Sequence, residues 1–376
     1  MKNIFVLLKR FIITVICVAL LLSITACIYM QHPKFGRLPS GEELKRIERS
    51  PNFKTGKFQN STATPTFAKG YGFWSEVGKT IFKKYPRKRP VDSIPSIRTD
   101  LRKLPADSNV LVWMGHSSCF IQIDGKRILI DPVFSNNASP IPGSVKAFKG
   151  TGIYTVDSMP EIDYLLISHD HYDHLDYETA TGLKGKVKHV VCGLGTGAHF
   201  KRWGYADAQV IEADWHQEAV SMDGFKIYTE EARHKSGRGL KQNQALWVSF
   251  VIQSSGYNIF YSGDGGYDAH FDAIGKKYGP FDLALMECGQ YDSAWHYVHL
   301  LPEEIAKASM DLNTKKLLPV HNSKFALANH PWDEPLVKIT ALSAGKPYQL
   351  ITPMIGETVL LSDTTQQFQQ WWKHLK

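Results

Sequence analysis

Four side chains able to hold a metal crowd into one short stretch of this 376-residue chain. They are His169, His171, Asp173 and His174, in Ser168-His169-Asp170-His171-Tyr172-Asp173-His174. Neutral imidazole and carboxylate are borderline donors that suit Zn2+, and a single ion cannot easily take all four from one six-residue loop. A pair of ions can, given further ligands from elsewhere and a carboxylate that lies between them. The stretch directly follows the apolar run Tyr164-Leu165-Leu166-Ile167. The donors therefore sit at the end of a buried strand, where clusters of His and Asp mark metal or catalytic sites.

The further donors fall at other strand ends. Asp264, in Ser262-Gly263-Asp264-Gly265-Gly266, follows an apolar strand, and its flanking glycines let backbone come close to an ion; it is the candidate bridging carboxylate. His321 closes the strand Leu317-Leu318-Pro319-Val320, and His234 follows a strand over residues 225–229. Taken alone, each of these two histidines reads as a hydrogen-bonded core residue; the loop motif is what makes them candidate ligands. No Gly-x-Ser-x-Gly elbow competes as a nucleophile site.

The elements that must position these residues follow an α/β pattern from residue 109 onward, in two halves with the same order. In the first, residues 119–123 turn at Asp124-Gly125 and return to end in Asp131, a favoured two-residue hairpin. A buried strand over residues 162–168, a short helix over 177–183 and a strand over 187–192 follow. In the second, strands over 246–253 and 258–262 lead into Asp264. Next come a helix over 269–278, a strand over 281–286, a helix starting at Pro302 with Glu303 and Glu304 in its first turn, and a strand over 315–320 ending at His321. Two β-rich units with outer helices predict a sandwich of two sheets covered on both faces, with strand ends meeting at one edge.

The rest of the chain bounds the reading. With 43% hydrophobic and 12% aromatic residues it has ample material for a packed core. Of its 44 basic residues, Lys2, Lys9 and Arg10 precede the first apolar run, which leaves 41 against 36 acidic residues in the body. That mild excess, with Lys83-Lys84-Tyr85-Pro86-Arg87-Lys88-Arg89 as the one dense basic stretch, argues against nucleic acid as a partner. It fits a solvated loop, or one resting on anionic headgroups. Residues 11–26 form an apolar run that is short for a spanning helix and reads as a signal peptide. Ile24-Thr25-Ala26-Cys27 resembles the bacterial lipobox, which implies cleavage before Cys27, a lipid on that cysteine and a membrane-anchored lipoprotein of the cell envelope; an uncleaved anchor helix is the alternative. Residues 28–107 read as an arm laid on the domain, and residues 108–376 as the catalytic domain. Cys119, Cys192 and Cys288, odd in number and unrelated in spacing, are expected as buried thiols. Trp371-Trp372 suits either a lipid interface or a terminal packing role.

The order Asp131, H-x-H-x-D-H, His234, Asp264, His321 resembles the five motifs of the metallo-β-lactamase superfamily. Within it, several stretches are similar to the N-acyl-phosphatidylethanolamine-hydrolysing phospholipase D branch and its bacterial relatives: Trp113-Met114-Gly115-His116-Ser117-Ser118-Cys119, Ile130-Asp131-Pro132-Val133-Phe134-Ser135, Gly279-Pro280-Phe281-Asp282-Leu283-Ala284 and Phe325-Ala326-Leu327-Ala328. The resemblance covers most of residues 109–339 and implies an αββα four-layer sandwich with two Zn2+ at one edge. It implies His169, His171 and His234 on the first ion and Asp173, His174 and His321 on the second, with Asp264 bridging. Asp131 would lie behind the ligands and orient them, and His299 matches a histidine near the substrate phosphate, though a helix-capping role would serve it as well. The implied activity is hydrolysis of a lipid phosphodiester by a hydroxide that the ions make available at neutral pH. Attack at a carbonyl needs the same ligands, so a lactonase or a hydrolase of small phosphorylated compounds stays open. So does a non-catalytic envelope protein, against which stands the filling of all seven ligand positions. The arm and Cys288-Gly289-Gln290-Tyr291-Asp292 depart from the branch, so headgroup and acyl preference are not inherited.

Overall fold

The computed structural model describes residues 2–222 and 224–376. The chain opens with helix α1 (Lys2–Tyr29), whose apolar side chains are exposed along its length. The apolar run expected to be short is therefore part of a longer element, because Ile4 to Leu8 and Ile28 continue the same helix past Lys9 and Arg10. Its 28 residues reach about 42 Å at 1.5 Å per residue, against the ~30 Å of a bilayer's hydrocarbon core. Length alone thus does not separate a cleaved signal from an anchor. Helix α2 (Glu42–Ile47), the small hairpin β1 (Phe53–Lys54) with β2 (Lys57–Phe58), and helix α3 (Phe73–Phe82) follow.

The arm wraps the body by polar contacts at intervals. Asn52 Nδ2 donates to Asp214 at 2.7 Å, Phe58 N to the Asn243 carbonyl at 2.9 Å and Ala68 N to the Ala294 carbonyl at 2.8 Å. Further on, Ile94 N donates to the Lys149 carbonyl at 2.9 Å and Ile97 N to the Ile355 carbonyl at 2.8 Å.

The first half of the body supplies β3 (Val110–Trp113), β4 (Cys119–Ile123), β5 (Lys126–Ile130), β6 (Ile162–Ile167), α4 (Tyr177–Leu183), β7 (Val187–Gly193), α5 (Gly197–Arg202) and β8 (Val210–Ala213). The second supplies β9 (Gln217–Met222), β10 (Phe225–Glu230), β11 (Ser249–Gln253), β12 (Asn258–Tyr261), α6 (His270–Tyr278), β13 (Leu283–Glu287), α7 (Pro302–Asp311), β14 (Lys316–Val320), α8 (Glu334–Ser343), β15 (Gln349–Leu350) and β16 (Thr358–Leu360). They build two seven-stranded sheets, β16-β3-β4-β5-β6-β7-β8 and β15-β14-β13-β12-β11-β10-β9. Each is antiparallel through four strands and parallel from there on, switching at β5 and at β12. The duplication has one exchange: the outermost antiparallel place, held by β9 in the second sheet, is filled in the first by the C-terminal β16.

The alternation of side chains across each strand sorts the apolar residues into layers. Leu111, Trp113, Ile128, Ile130, Ile259, Tyr261, Leu283 and Leu285 pack between the sheets. Their neighbours Val112 and Leu129 face α4 and α5 with Ala180, Leu183 and Phe200. Phe260, Ala284 and Met286 face α6, α7 and α8 with Phe271, Ile305 and Ile339. This is the αββα sandwich. Trp371 and Trp372 belong to the central layer, and Cys119, Cys192 and Cys288 are buried thiols. One strand is shorter than its sequence: β11 starts at Ser249, not at Leu246, because Leu246 N donates to the Leu194 carbonyl (2.8 Å) and Val248 N to the Ser168 carbonyl (2.9 Å). Those residues stitch the two halves together just below the His169 loop.

Candidate metal centre

Every candidate ligand leaves a strand end at the same edge. The loop after β6 carries His169, His171, Asp173 and His174; the ends of β10, β12 and β14 bring His234, Asp264 and His321. His321 sits at φ 63° and Asp131, after β5, at φ 41°, sharp turns that aim both side chains inward. Donor atoms of His169, His171 and His234 lie within 4.8 Å of one another, as do those of Asp173, His174 and His321, and those of His169, His174 and Asp264. All seven side chains that the sequence singled out thus converge. Asp264 Oδ2 is the common point, 3.1 Å from His321 Nε2, 3.2 Å from His174 Nε2, 3.9 Å from His234 Nε2 and 4.0 Å from His169 Nε2.

The donor chemistry fits divalent cations. His234 Nδ1 donates to the Val298 carbonyl at 2.8 Å, which leaves a lone pair on Nε2 facing His171 Nδ1 at 3.3 Å, and His169 Nε2 is 2.8 Å from that same nitrogen. Burial holds His169 and His234 well below the usual imidazole range and His171 at about 4, so the rings are neutral, the form a metal takes. On the other side, burial disfavours a charge on His174, yet the carboxylates of Asp264, Asp173 and Asp131 outweigh it and raise the ring above its ordinary value. Such a concentration of buried negative charge calls for positive charge among these donors. The buried Asp264 Oδ1 and His174 Nε2 have no hydrogen-bond partner in suitable geometry.

Behind the donors, Asp131 is fully buried and does what a supporting carboxylate must. Its Oδ1 accepts from Ser168 N (2.8 Å), and its Oδ2 accepts from Ser168 Oγ (2.5 Å), Tyr261 Oη (2.5 Å) and His174 Nδ1 (2.7 Å). His174 Nε2 is thereby turned toward Asp264.

Four contributors escaped the sequence reading. Glu287, at the end of β13, accepts from Leu300 N at 2.5 Å and lies 3.1 Å from His299 Nδ1, fixing the ring that stacks on His321. Its signal was present, since Asp131 and Asp264 are likewise acids at strand ends. His116 lies 2.9 Å from Asp173 Oδ2, which it shares with His321 at 3.2 Å. Asn60, from the arm, grips the backbone of His234 twice: its Nδ2 donates to the carbonyl (2.8 Å) and its Oδ1 accepts from N–H (3.1 Å). Arg238 spends its donors on the carbonyls of Asp170 (2.8 Å), Leu175 (2.6 Å) and Lys34 (2.7 Å), and so ties the ligand loop to the arm. Nothing in the pattern marks Asn60 or Arg238, whose partners are backbone atoms far away in sequence.

The centre opens into a cleft of about 210 Å3 walled by Trp295, Val298 and Leu327, with His299, Gln290 and Lys235 at its sides. A larger groove of about 620 Å3 lies on the outer side of the ligand loop, between Lys34, Tyr172 and Tyr177, and none of the seven donors lines it.

A four-layer sandwich with this histidine and carboxylate cluster at its strand-end edge defines a metal-dependent hydrolase. Residues 126–322 match the Beta-lactamase superfamily domain, and the chain belongs to that superfamily. It is 33% identical over 334 residues to an uncharacterized protein of Mycobacterium tuberculosis, covering 87% of this chain and 88% of that one. It is 30% identical over 227 residues to N-acyl-phosphatidylethanolamine-hydrolyzing phospholipase D 1 of Caenorhabditis elegans, covering 56% of this chain and 62% of that enzyme. Among solved structures, a metallo hydrolase from Ignicoccus hospitalis superposes with a TM-score of 0.52 at 22% identity, covering 67% of this chain and 97% of the other, a likeness of fold.

Proposed function

We propose that this chain is a dinuclear zinc phosphodiesterase of the phospholipase D type, acting on N-acyl-phosphatidylethanolamine or a related lipid and held at a membrane of the bacterial envelope by a lipid on Cys27. His169, His171 and His234 would hold one ion and Asp173, His174 and His321 the other, with Asp264 shared. Two such ions supply a nucleophilic hydroxide at neutral pH and neutralise charge that grows on the substrate's oxygens.

The chain's own residues do the rest. Asp264 keeps one oxygen free of protein hydrogen bonds and so can accept the proton of the attacking water and hold its direction. Asp173, braced by His116 and His321, keeps its carboxylate fixed while charge shifts beside it. His299, oriented by Glu287 through Nδ1, lines the cleft and positions the substrate's leaving oxygen. Trp295, Val298 and Leu327 limit the water that reaches the cleft.

The observation that carries the choice of an anionic substrate is Lys235. It lines the cleft with His171, Asp173 and Asp264, is half-buried, and has no acid paired with it among the described residues. Burial pulls its ammonium below the ordinary lysine value. A half-buried, unpaired cation beside the reacting atoms is suited to a phosphodiester oxygen. The phospholipase D relative points the same way. The test is a panel of diester, lactone and β-lactam substrates given to the full chain in detergent. Turnover of the diester that is lost in Asp264→Asn supports the reading, and preference for a neutral lactone refutes it.

A further inference from the structure

Helix α3 is built inside out. By helical spacing Phe73, Trp74 and Val77 share one face and Ser75 and Lys79 lie away from it. Phe73 is 59% exposed, Trp74 80% and, at the far end, Phe82 85%, whereas the buried Glu76 takes the inward place. Glu76 is held by Lys79 Nζ at 2.7 Å, and the exposed aromatics of the helix mark an interaction face. The basic stretch follows at once. Lys83 and Lys84 are exposed with no acid against them among the described residues, and Arg89 donates to the Lys146 carbonyl at 2.9 Å and lies over the Phe148 ring.

Its surroundings say where this patch lies. Just before α3, Ala68 N donates to the Ala294 carbonyl and the Tyr71 hydroxyl meets Ser293 Oγ at 2.8 Å, next to Trp295 of the cleft wall. After α3, Lys88 Nζ donates to Asn329 at 3.0 Å and Arg87 pairs with Asp333, just beyond Leu327, which also lines the cleft. The stretch from Ala68 to Lys88 is thus fastened at both ends next to residues that line the cleft. Tyr29, at the foot of α1, donates to the Pro140 carbonyl at 2.5 Å. The foot of the apolar helix and the end of the basic stretch therefore hang on the same loop, residues 136–147.

We infer that α3 and the basic stretch form a second membrane contact, separate from the N-terminus, that sets the cleft mouth on a surface of anionic lipid. Phe73 and Trp74 enter the interface, where amphipathic aromatic faces rest, while Lys83 and Lys84, just past the helix end, meet the negative headgroups. An anionic bilayer is the occupant because aromatic and unpaired basic side chains are adjacent here, and because either N-terminal attachment, a lipid on Cys27 or an uncleaved α1, leads through Tyr29 to the same loop. The contact does not depend on which bond the centre cleaves.

The test uses the full chain with Cys17→Ser, Cys27→Ser and Trp74→Cys, carrying a fluorophore on the introduced thiol. It is reconstituted through α1 into phosphatidylcholine vesicles with 30% phosphatidylglycerol and a quencher on the lipid headgroups. Quenching of at least twofold over vesicles without the quencher lipid is expected, and Lys83→Glu with Lys84→Glu should reduce it. Absence of quenching overturns the inference, as does a fluorophore that responds to protein concentration instead, the sign of a contact between copies. Quenching that ignores both the charge reversal and the removal of phosphatidylglycerol overturns the choice of an anionic surface.

Discussion

The hydroxyl of Tyr261, at the end of β12 in one sheet, donates at 2.5 Å to the carboxylate of Asp131, at the end of β5 in the other. The same carboxylate takes the Nδ1 proton of His174 and two bonds from Ser168. One buried acid therefore both joins the half-domains, beside the backbone bonds of Leu246 and Val248, and orients the ligand loop.

Asp131→Asn should weaken metal binding by roughly 10–100-fold, because an amide presents one acceptor where three hydroxyl or ring donors need a carboxylate. Tyr261→Phe removes one donor and should cost less. Competition with a chelating dye measures both. Equal affinity in Asp131→Asn and the parent would show that the loop orients itself.

Arg238→Met leaves the carbonyls of Asp170, Leu175 and Lys34 without their buried donor. A loss of about 2–4 kcal/mol is expected, since hydrogen bonds to a charged group contribute ~1.5–3 kcal/mol each and part is regained by water. Denaturant unfolding reports the stability, and release of metal ahead of global unfolding would place the damage at the loop.

The arm is held by a pair whose acid response has a definite sign. Arg37 Nη1 donates to Glu43 at 2.7 Å, and this hydrogen bond, against some burial cost, holds the Glu43 carboxyl at about 2. A depressed carboxyl contributes stability above its unfolded value and loses it as pH falls toward the folded one. The melting temperature of Glu43→Gln should therefore lie slightly below the parent's at pH 6, with the gap closing between about pH 4.5 and 2. The pair is only part-buried at the surface, where solvent screens it, so the gap is small. A constant difference across that range would show that Glu43 acts by packing and not by charge.

Lys235→Met should lower kcat/KM for an anionic diester by about 10–100-fold, the worth of one hydrogen bond to a charged oxygen, and leave a neutral ester of similar size unchanged. An equal loss on both would mean that Lys235 supports the fold of the cleft.

How much of this was legible in the chain follows from where each signal lies. The β5 hairpin, α4 and α7 read directly, because their turns, caps and apolar spacing are local. The ligand set read because four donors share one loop, and the three distant ones stand at strand ends of a repeated order. Glu287 and His116 also stand at strand ends, yet without a donor cluster beside them they look like any buried polar residue. Asn60 and Arg238 act through backbone carbonyls and amides more than sixty residues away, which no side-chain pattern encodes. The start of β11 reads too early because residues 246–248 are as apolar as a strand but serve the seam between sheets.

The central claim is that His169, His171, Asp173, His174, His234, Asp264 and His321 hold two cations. Elemental analysis of the purified full chain tests it most directly, alongside Asp264→Asn with its fold checked by circular dichroism. Two equivalents of zinc per chain, falling to one or fewer in the folded variant, is the predicted result. A parent chain without bound metal, or a variant that keeps both equivalents, would contradict it.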